Sequence, residues 1–515
     1  IDVPEPLLSG LLVSASTSST ESKVVALWKG PSRYPDDCLG HPSEAYPEYP
    51  FRDISPVANF SYDALRTSLK LLGLDQEHYG SRQWNPLGTI MKPGDRVLIK
   101  PNWIREGHAV RTDEWEQVIT HPSIIRAILD FIYIALHGQG QVVIADGPQT
   151  DSDYEEILRR TSVMQLISFF QERGLSVSVF DLRREHWVQK GGITYARHVL
   201  QGDPLGYTTI DLHAGSEFHE YSLSGRFYGA DYDARETVRC HSQGHHCYVL
   251  CRTALEADVI INLPKMKTHK KTGITLSLKN MVGVNGHRNC LPHYTVGTPA
   301  QGGDEFPDDR RGSRVQSAGI AGLKRCLTAA GGRGGPFIRS ILRLGRVAFG
   351  DTSRVIRSGN WYGNDTLWRA VLDLNKVLFY FDGSGKERLW PRRYLTIVDG
   401  IVAGEGDGPS SPSKKAAGVV LAGLNPVAVD TVCATIMGFD FESIPLLDHS
   451  WHIARYPLVH FKPDDVVCQS NVAQWCGPLT HLKNASHLGF RPHFGWVGHI
   501  ERDSLHGTVK QVVNR

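Results

Sequence analysis

Short β-branched and aliphatic runs, each closing on a polar residue and separated by helix-like stretches, recur along this chain and restrict the folds open to it. DRVLIK (Asp95–Lys100), QVVIA (Gln141–Ala145), Leu175–Asp181, ADVIINL (Ala257–Leu263), YLTIV (Tyr394–Val398) and Ala416–Leu421 read as buried strands. Between them, His121–His137 (with Pro122 in its first turn), Tyr154–Arg173, Asn364–Leu378 and Val427–Met437 read as helices. Such alternation predicts an α/β fold, a mostly parallel sheet with helical crossovers. The core is expected over 91–450. Two insertions interrupt it, one near 189–245 built of short antiparallel strands and one near 295–365. Within the second, Pro299–Pro336 is rich in Gly, Arg and Asp and reads as a long mobile excursion. An irregular arm over 1–90 holds a strand at Val24–Leu27 and a helix near Tyr62–Leu72, and 451–515 forms a C-terminal extension.

The 515 residues carry a net charge of only +2, so any basic site must be local, and nucleic-acid binding is disfavoured. No apolar run approaches the roughly 20 residues that span a bilayer. Nine scattered cysteines suggest a reducing compartment and, with no signal-peptide pattern at the first residue, a cytoplasmic protein. They also lack the spacing of an iron–sulfur motif. CHSQGHHCYVLC (Cys240–Cys251) is read as a strand hairpin, with His241, His245 and His246 as lesser metal candidates.

In open α/β sheets ligands meet the carboxyl ends of the strands. Here those ends bring Lys100 and Asn102, Asp146, Asn262 with Lys265 and Lys267, and Asp399 with Glu405 toward one rim. The bland alternative is that Asp-Gly and Asn-Pro are ordinary turns. The segment PKMKTHKKTGITLSLKNMVGVNG (Pro264–Gly286) goes further. Thr272 is expected to cap a helix running through Ile274–Met281, whose amides and neighbouring lysines would hold a phosphate or carboxylate. Lys270 and Lys271 read as solvated. Lys279 sits among Leu276, Leu278, Met281 and Val282, where a desolvated amine loses basicity and becomes a candidate base or nucleophile. The glycine-rich GEGDGP (Gly404–Pro409) lacks the Lys-Ser/Thr ending of a P-loop. The aromatics of NWYGNDTLWRAVLDL (Asn360–Leu374) are assigned to packing.

GDRVLIKPNW, ADVIINLPKMKTHKKTGITLSLKNMVG, TIVDGIVAGEGDGP and NPVAVDTVCATIMG together resemble the family known as domain of unknown function 362, in order from about Gly94 to Leu447. The insertion around NWYGNDTLW is similar to members associated with surface polysaccharides, which implies a sugar or sugar-nucleotide substrate. A fainter resemblance links His269, Gly273, Thr275 and Lys279 to the H-x3-G-x-S-x3-K segment of lactate racemase-type enzymes. It implies that Lys279 tethers or contacts a nickel-pincer nucleotide or other metal cofactor and that His269 assists proton or hydride transfer.

The resulting expectation is a racemase- or epimerase-like enzyme acting on an anionic small molecule: a sugar acid, phosphosugar or hydroxy acid. His269, Lys279 and Asp399 would do the chemistry. Lys100, Asn102, Asp146, Asn262, Lys265, Lys267, Thr275, Asn280 and Glu405 would bind substrate. The rival is a non-catalytic binding protein for an anionic glycan or nucleotide.

Overall fold

A computed structural model describes residues 19–36, 39–190, 193–221, 225–229, 234–329 and 355–502. The described strands build a twelve-stranded sheet. At its heart Arg393–Glu405, Val259–Leu263, Arg96–Pro101, Gln141–Asp146 and Ser176–Asp181 lie side by side in that order, all parallel. Val419–Gly423 continues the sheet antiparallel to Arg393–Glu405, and Val24–Lys29 follows. Val467–Ser470 and Gly477–Pro478 close that edge. The arm and the C-terminal extension are thus both stitched into the main sheet.

Alternation along each strand decides which core a side chain enters. Val97, Ile99, Val142, Ile144, Val259 and Ile261 pack beneath the helices Phe60–Leu71 and Pro122–Leu136. Leu98, Ala145, Ile260 and Val398 face the opposite core, with Leu367–Tyr380 and Pro426–Met437. Pro122–Leu136 begins where Pro122 occupies the first turn and the His121 ring accepts the Ser123 amide at 3.2 Å. It is apolar nearly all round and buried, and its one internal charge pair, Arg126–Asp130 at 3.1 Å, is buried with it.

Several expectations need correction. Tyr154–Arg173 is two helices, Tyr154–Thr161 and Val163–Gln171, broken at Ser162, which takes a left-handed conformation (φ 48°). The YLTIV strand does not stop at Asp399. It runs on to Glu405, because its second half pairs with Lys265–His269 and Ser413–Lys415. Part of the expected mobile excursion is helical, Arg311–Ala329, while 330–336 lies outside the described residues. In the first insertion the antiparallel pairs are Glu185–Lys190 with Ile193–Val199 and Tyr207–Asp211 with Cys247–Cys251. Only the second half of CHSQGHHCYVLC is strand. Cys240 ends a short helix and is disulfide-bonded to Cys290, at odds with the free thiols of a reducing compartment.

Candidate functional site

Numbered along the chain, the five parallel strands stand in the order 5-4-1-2-3, so the direction of winding reverses between Arg96–Pro101 and Val259–Leu263. The carboxyl ends flanking such a reversal splay apart and leave a crevice. A cleft lies there, lined by Asn102, Asp146, Lys267, His269, Thr275, Lys279, Asn280 and Arg288, with Pro409 of the GEGDGP loop among its walls. Its inner chamber offers about 60 Å³. Gly147 and Arg288 also line a wider chamber of about 370 Å³, bordered by Arg183, Arg184, Trp187, Arg197 and His287.

A buried polar frame holds the floor. Lys100 pairs with Asp146 at 2.8 Å, and Asp146 also accepts the amides of Trp103 and Gly147, each at 2.7 Å. Asn280 ties three segments together. Its carbonyl accepts from Asn102 at 2.8 Å, and its amide donates to Asn262 at 2.7 Å and to the Lys100 carbonyl at 3.1 Å. Asn262 in turn donates to Tyr394 Oη at 2.6 Å. Gly283 closes this frame from below. A Cβ there would fall 1.9 Å from Asp146 Oδ1 and 2.7 Å from Lys100 Nζ, both pinned by the bonds just described. Gly283→Ala is therefore expected to cost about 1–3 kcal/mol by overpacking. Urea denaturation checks this, and a wild-type midpoint would refute it.

The groups that reach the cleft differ in character. Lys267 is fully buried and donates to the Val118 carbonyl, with no carboxylate partner among the described residues. Burial, then the charges of Lys265 and Lys279, pull its pKa well down. His269 Nδ1 accepts from the Lys271 and Thr272 amides at 3.1 and 3.2 Å and lies 3.0 Å from the Thr272 hydroxyl. Those bonds assign the proton of the neutral ring to Nε2. Burial and the neighbouring cations, Lys279 first, hold that ring well below its usual pKa. Lys279 is partly open to the cleft, and among the described residues its amine has neither hydrogen bond nor ion pair. Burial, then repulsion from Lys100 and Arg288, brings its pKa down to about 8. Asn102 Oδ1 and Thr275 Oγ1 are buried without a hydrogen-bond partner. Unmet polar atoms of that kind in a cleft wall suit a polar ligand.

Other expected site residues stand elsewhere. Lys265 and Asp399 form their own buried ion pair at 2.9 Å, with the Tyr34 hydroxyl 2.6 Å from each. Asp399 also accepts the His121 amide at 2.9 Å. Glu405 accepts the Arg491 amide at 3.0 Å and faces Lys415 at 3.5 Å. Neither Asp399, Lys265 nor Glu405 lines the cleft, and Lys100 and Asn262 brace it from behind.

The helix expected over Ile274–Met281 is also corrected. Gly273–Thr275 is a strand paired with Lys265–His269, and the helix is only Ser277–Asn280. Its first amides, of Ser277 and Leu278, are taken at 2.8 and 2.9 Å by the Asp430 carboxylate, pushed up to about 7 by burial. The anion at this helix start is the protein's own side chain.

A family model described as "Domain of unknown function (DUF362)" matches residues 97–205 and 211–435. The chain belongs to the DUF362 family. All of the cleft residues named above, Pro409 of the GEGDGP loop included, fall within the two matched segments. Among similar proteins is a thylakoid-associated protein of Synechocystis sp., 25% identical over 256 residues, which are 48% of this chain and 56% of that protein. The chain thus matches little more than half the length of that curated relative. A crystal structure of a Thermotoga maritima protein aligns with a TM-score of 0.30 at 12% identity, over 72% of this chain and 58% of the other. Among the described residues no helix is long and apolar enough to cross a membrane.

The free amine of Lys279 is chemically able to carry a covalent group, but about 60 Å³ does not admit a nucleotide beside it. A nickel-pincer nucleotide on Lys279 would not fit the inner chamber alone and would have to extend past Arg288 into the wider one. The inner chamber has room for a carboxylate or phosphate head.

Proposed function

We propose that this DUF362 protein is an isomerase-type enzyme that binds an anionic small molecule (a sugar acid, phosphosugar or hydroxy acid) and moves a proton at a carbon beside its carboxylate or hydroxyl. The observation that carries the reading is the unpaired Lys279 amine, its pKa brought to about 8, in one small chamber with a neutral His269 and the carboxylate-free Lys267. A base is most effective when its pKa lies near the working pH.

Neutral Lys279 would take the C–H proton, and the electron pair would pass into the adjoining carboxylate or carbonyl as an oxyanion. His269 Nε2–H and the Lys267 ammonium would stabilise that oxyanion in a largely dry chamber. The Lys279 ammonium would then return a proton to the carbon, and the centre is inverted when the planar intermediate has turned its other face to that amine. Asn102 and Thr275 would orient the hydroxyls. The rest of the molecule would extend past Arg288 into the wider chamber, where arginines suit a second anionic group.

Incubation with candidate acids in D2O, followed by proton NMR, tests the proposal. Deuterium entering one carbon of a bound acid supports it, whereas tight binding with no exchange across the panel favours the binding-protein reading. Because Lys267 is desolvated, anion binding should also draw protons from solvent. Calorimetry in buffers of different ionisation enthalpy should report net uptake near pH 8, and less in Lys267→Met, where only Lys279 remains to take a proton.

A further inference from the structure

We infer that Asp211, His213 and His245 form a divalent transition-metal site, of the kind zinc occupies, at the mouth of the first insertion. Their candidate ligand atoms all lie within 4.8 Å of one another. The backbone explains why. Tyr207–Asp211 and Cys247–Cys251 are antiparallel, with Asp211 directly opposite Cys247. His213 lies two residues beyond one partner and His245 two residues before the other, so the D-x-H and H-x-C segments leave the ladder at the same end.

The carboxylate is already oriented. Asp211 Oδ1 accepts the amides of His213 and His246 at 3.0 and 2.9 Å, which turns Oδ2 toward the two imidazoles. Oδ2 stands 2.6 Å from His245 Nδ1 and 3.4 Å from His213 Nδ1. Burial works to raise the Asp211 pKa, but the two amides and the His245 ring hold it below the usual carboxylate range, so the group is ionised. Two imidazoles and one monodentate carboxylate are a donor set that zinc accepts with one position open. The fourth position would fall to water: the Cys247 thiol is not among the atoms grouped within 4.8 Å, and burial and the Asp211 carboxylate push its pKa up to about 11. Both imidazoles are more than half exposed, so the ion would load from solvent.

The site has a physical consequence for the cleft. The strand Cys247–Cys251 runs from Asp211 toward the segment that carries Arg288. Along it, the Gly286 amide donates to the Val249 carbonyl at 2.7 Å and Leu250 bridges to Asn285. A metal here would clamp the insertion against the wall of the wider chamber. The inference does not depend on the catalytic reading of Lys279.

The test uses the full chain stripped with a chelator and titrated with Co2+ and Zn2+. One equivalent of Co2+ giving visible d–d bands, displaced by Zn2+, is expected in the wild type. His213→Ala/His245→Ala should abolish the bands, and Cys247→Ser, outside the ligand group, should leave them in place. The trio Asp75, Glu77 and His78, also close enough to hold an ion, is unchanged in these variants, so any binding there persists in the double variant and is subtracted. Equal uptake by wild type and double variant, or no uptake by correctly folded wild type, overturns the inference. Far-ultraviolet circular dichroism confirms folding, which these surface changes should not disturb.

Discussion

Lys279→Met should lower turnover by about 10²- to 10⁴-fold, the usual contribution of a positioned general base. It should leave the fold intact, because the amine makes no bond that folding requires among the described residues. Methionine nearly matches the lysine stem and removes a repulsive charge from beside Lys100 and Arg288. Stability should therefore hold or rise slightly, which a thermal melt can register. The pH profile gives the sharper check. With a pKa of about 8, roughly a tenth of Lys279 is neutral at pH 7, so kcat/KM should climb nearly tenfold per pH unit below 8 and level off above it. An exogenous alkylamine should restore part of the rate in Lys279→Ala, and the residual rate of Lys279→Met should lose the limb near pH 8. Wild-type turnover in Lys279→Met would remove this residue from the chemistry.

His269 is expected to behave differently. Its Nδ1 is engaged by backbone amides and its pKa is held low by burial and by Lys279, so it stays neutral across the working range and contributes no acidic limb of its own near pH 6.5. His269→Gln, which keeps a donor, should retain more rate than His269→Ala, as measured by kcat at saturating substrate. Equal losses in both would refute its role as an Nε2–H donor.

Much of this arrangement was legible in the chain because strand signals and parallel topology are local consequences of residue order. DRVLIK, QVVIA and ADVIINL announce buried strands, and their carboxyl ends necessarily share a rim once the sheet is parallel. Lys279 stood out because an amine among Leu276, Leu278 and Met281 is costly unless paired, although a structural and a functional reading fitted it equally well, and the fold sets it in the cleft wall. Distinguishing a cleft lysine from a buttress lysine was not within reach. Lys265 and Lys267 are neighbours in one strand, yet the first meets Asp399 and the second does not, and that difference depends on which distant carboxylate arrives. Tyr34, 365 residues from Asp399, bonds to it and gives no sign of doing so in its Pro-rich surroundings. Asp430 filling the start of the Ser277–Asn280 helix is equally non-local, 153 residues away. Arg288 was missed for a different reason. It follows the Asn285-Gly286 turn, where a basic residue reads as solvent-facing, and only the fold turns its guanidinium back onto the Gly147 carbonyl at 3.0 Å.

Asp399→Ala should destabilise the protein by about 3–5 kcal/mol, the largest stability effect expected from one substitution here. Lys265 and Asp399 are both fully buried, and removing the carboxylate leaves an ammonium in the core with only the Tyr34 hydroxyl for company. The same change leaves the His121 amide and the Tyr34 O–H without their acceptor, and so loosens the stack of Tyr34 on His121, 3.7 Å between ring centres. Beyond the pairing of Val24–Lys29, this carboxylate ties Tyr34 of the arm and the start of Pro122–Leu136 to the strand Arg393–Glu405. Burial already lowers the Lys265 pKa, with Asp399 opposing it, so in Asp399→Ala the lysine should shed its proton and the variant should regain stability as pH rises. Lys265→Met combined with Asp399→Ala removes both charges and should recover much of the loss, since an apolar pair of similar volume often replaces a buried ion pair without penalty. Urea titrations of the wild type, both single variants and the double variant at pH 6 and pH 9 give the coupling directly. A loss under 1 kcal/mol in Asp399→Ala, or additive losses in the double variant, would show that the pair is not the clamp.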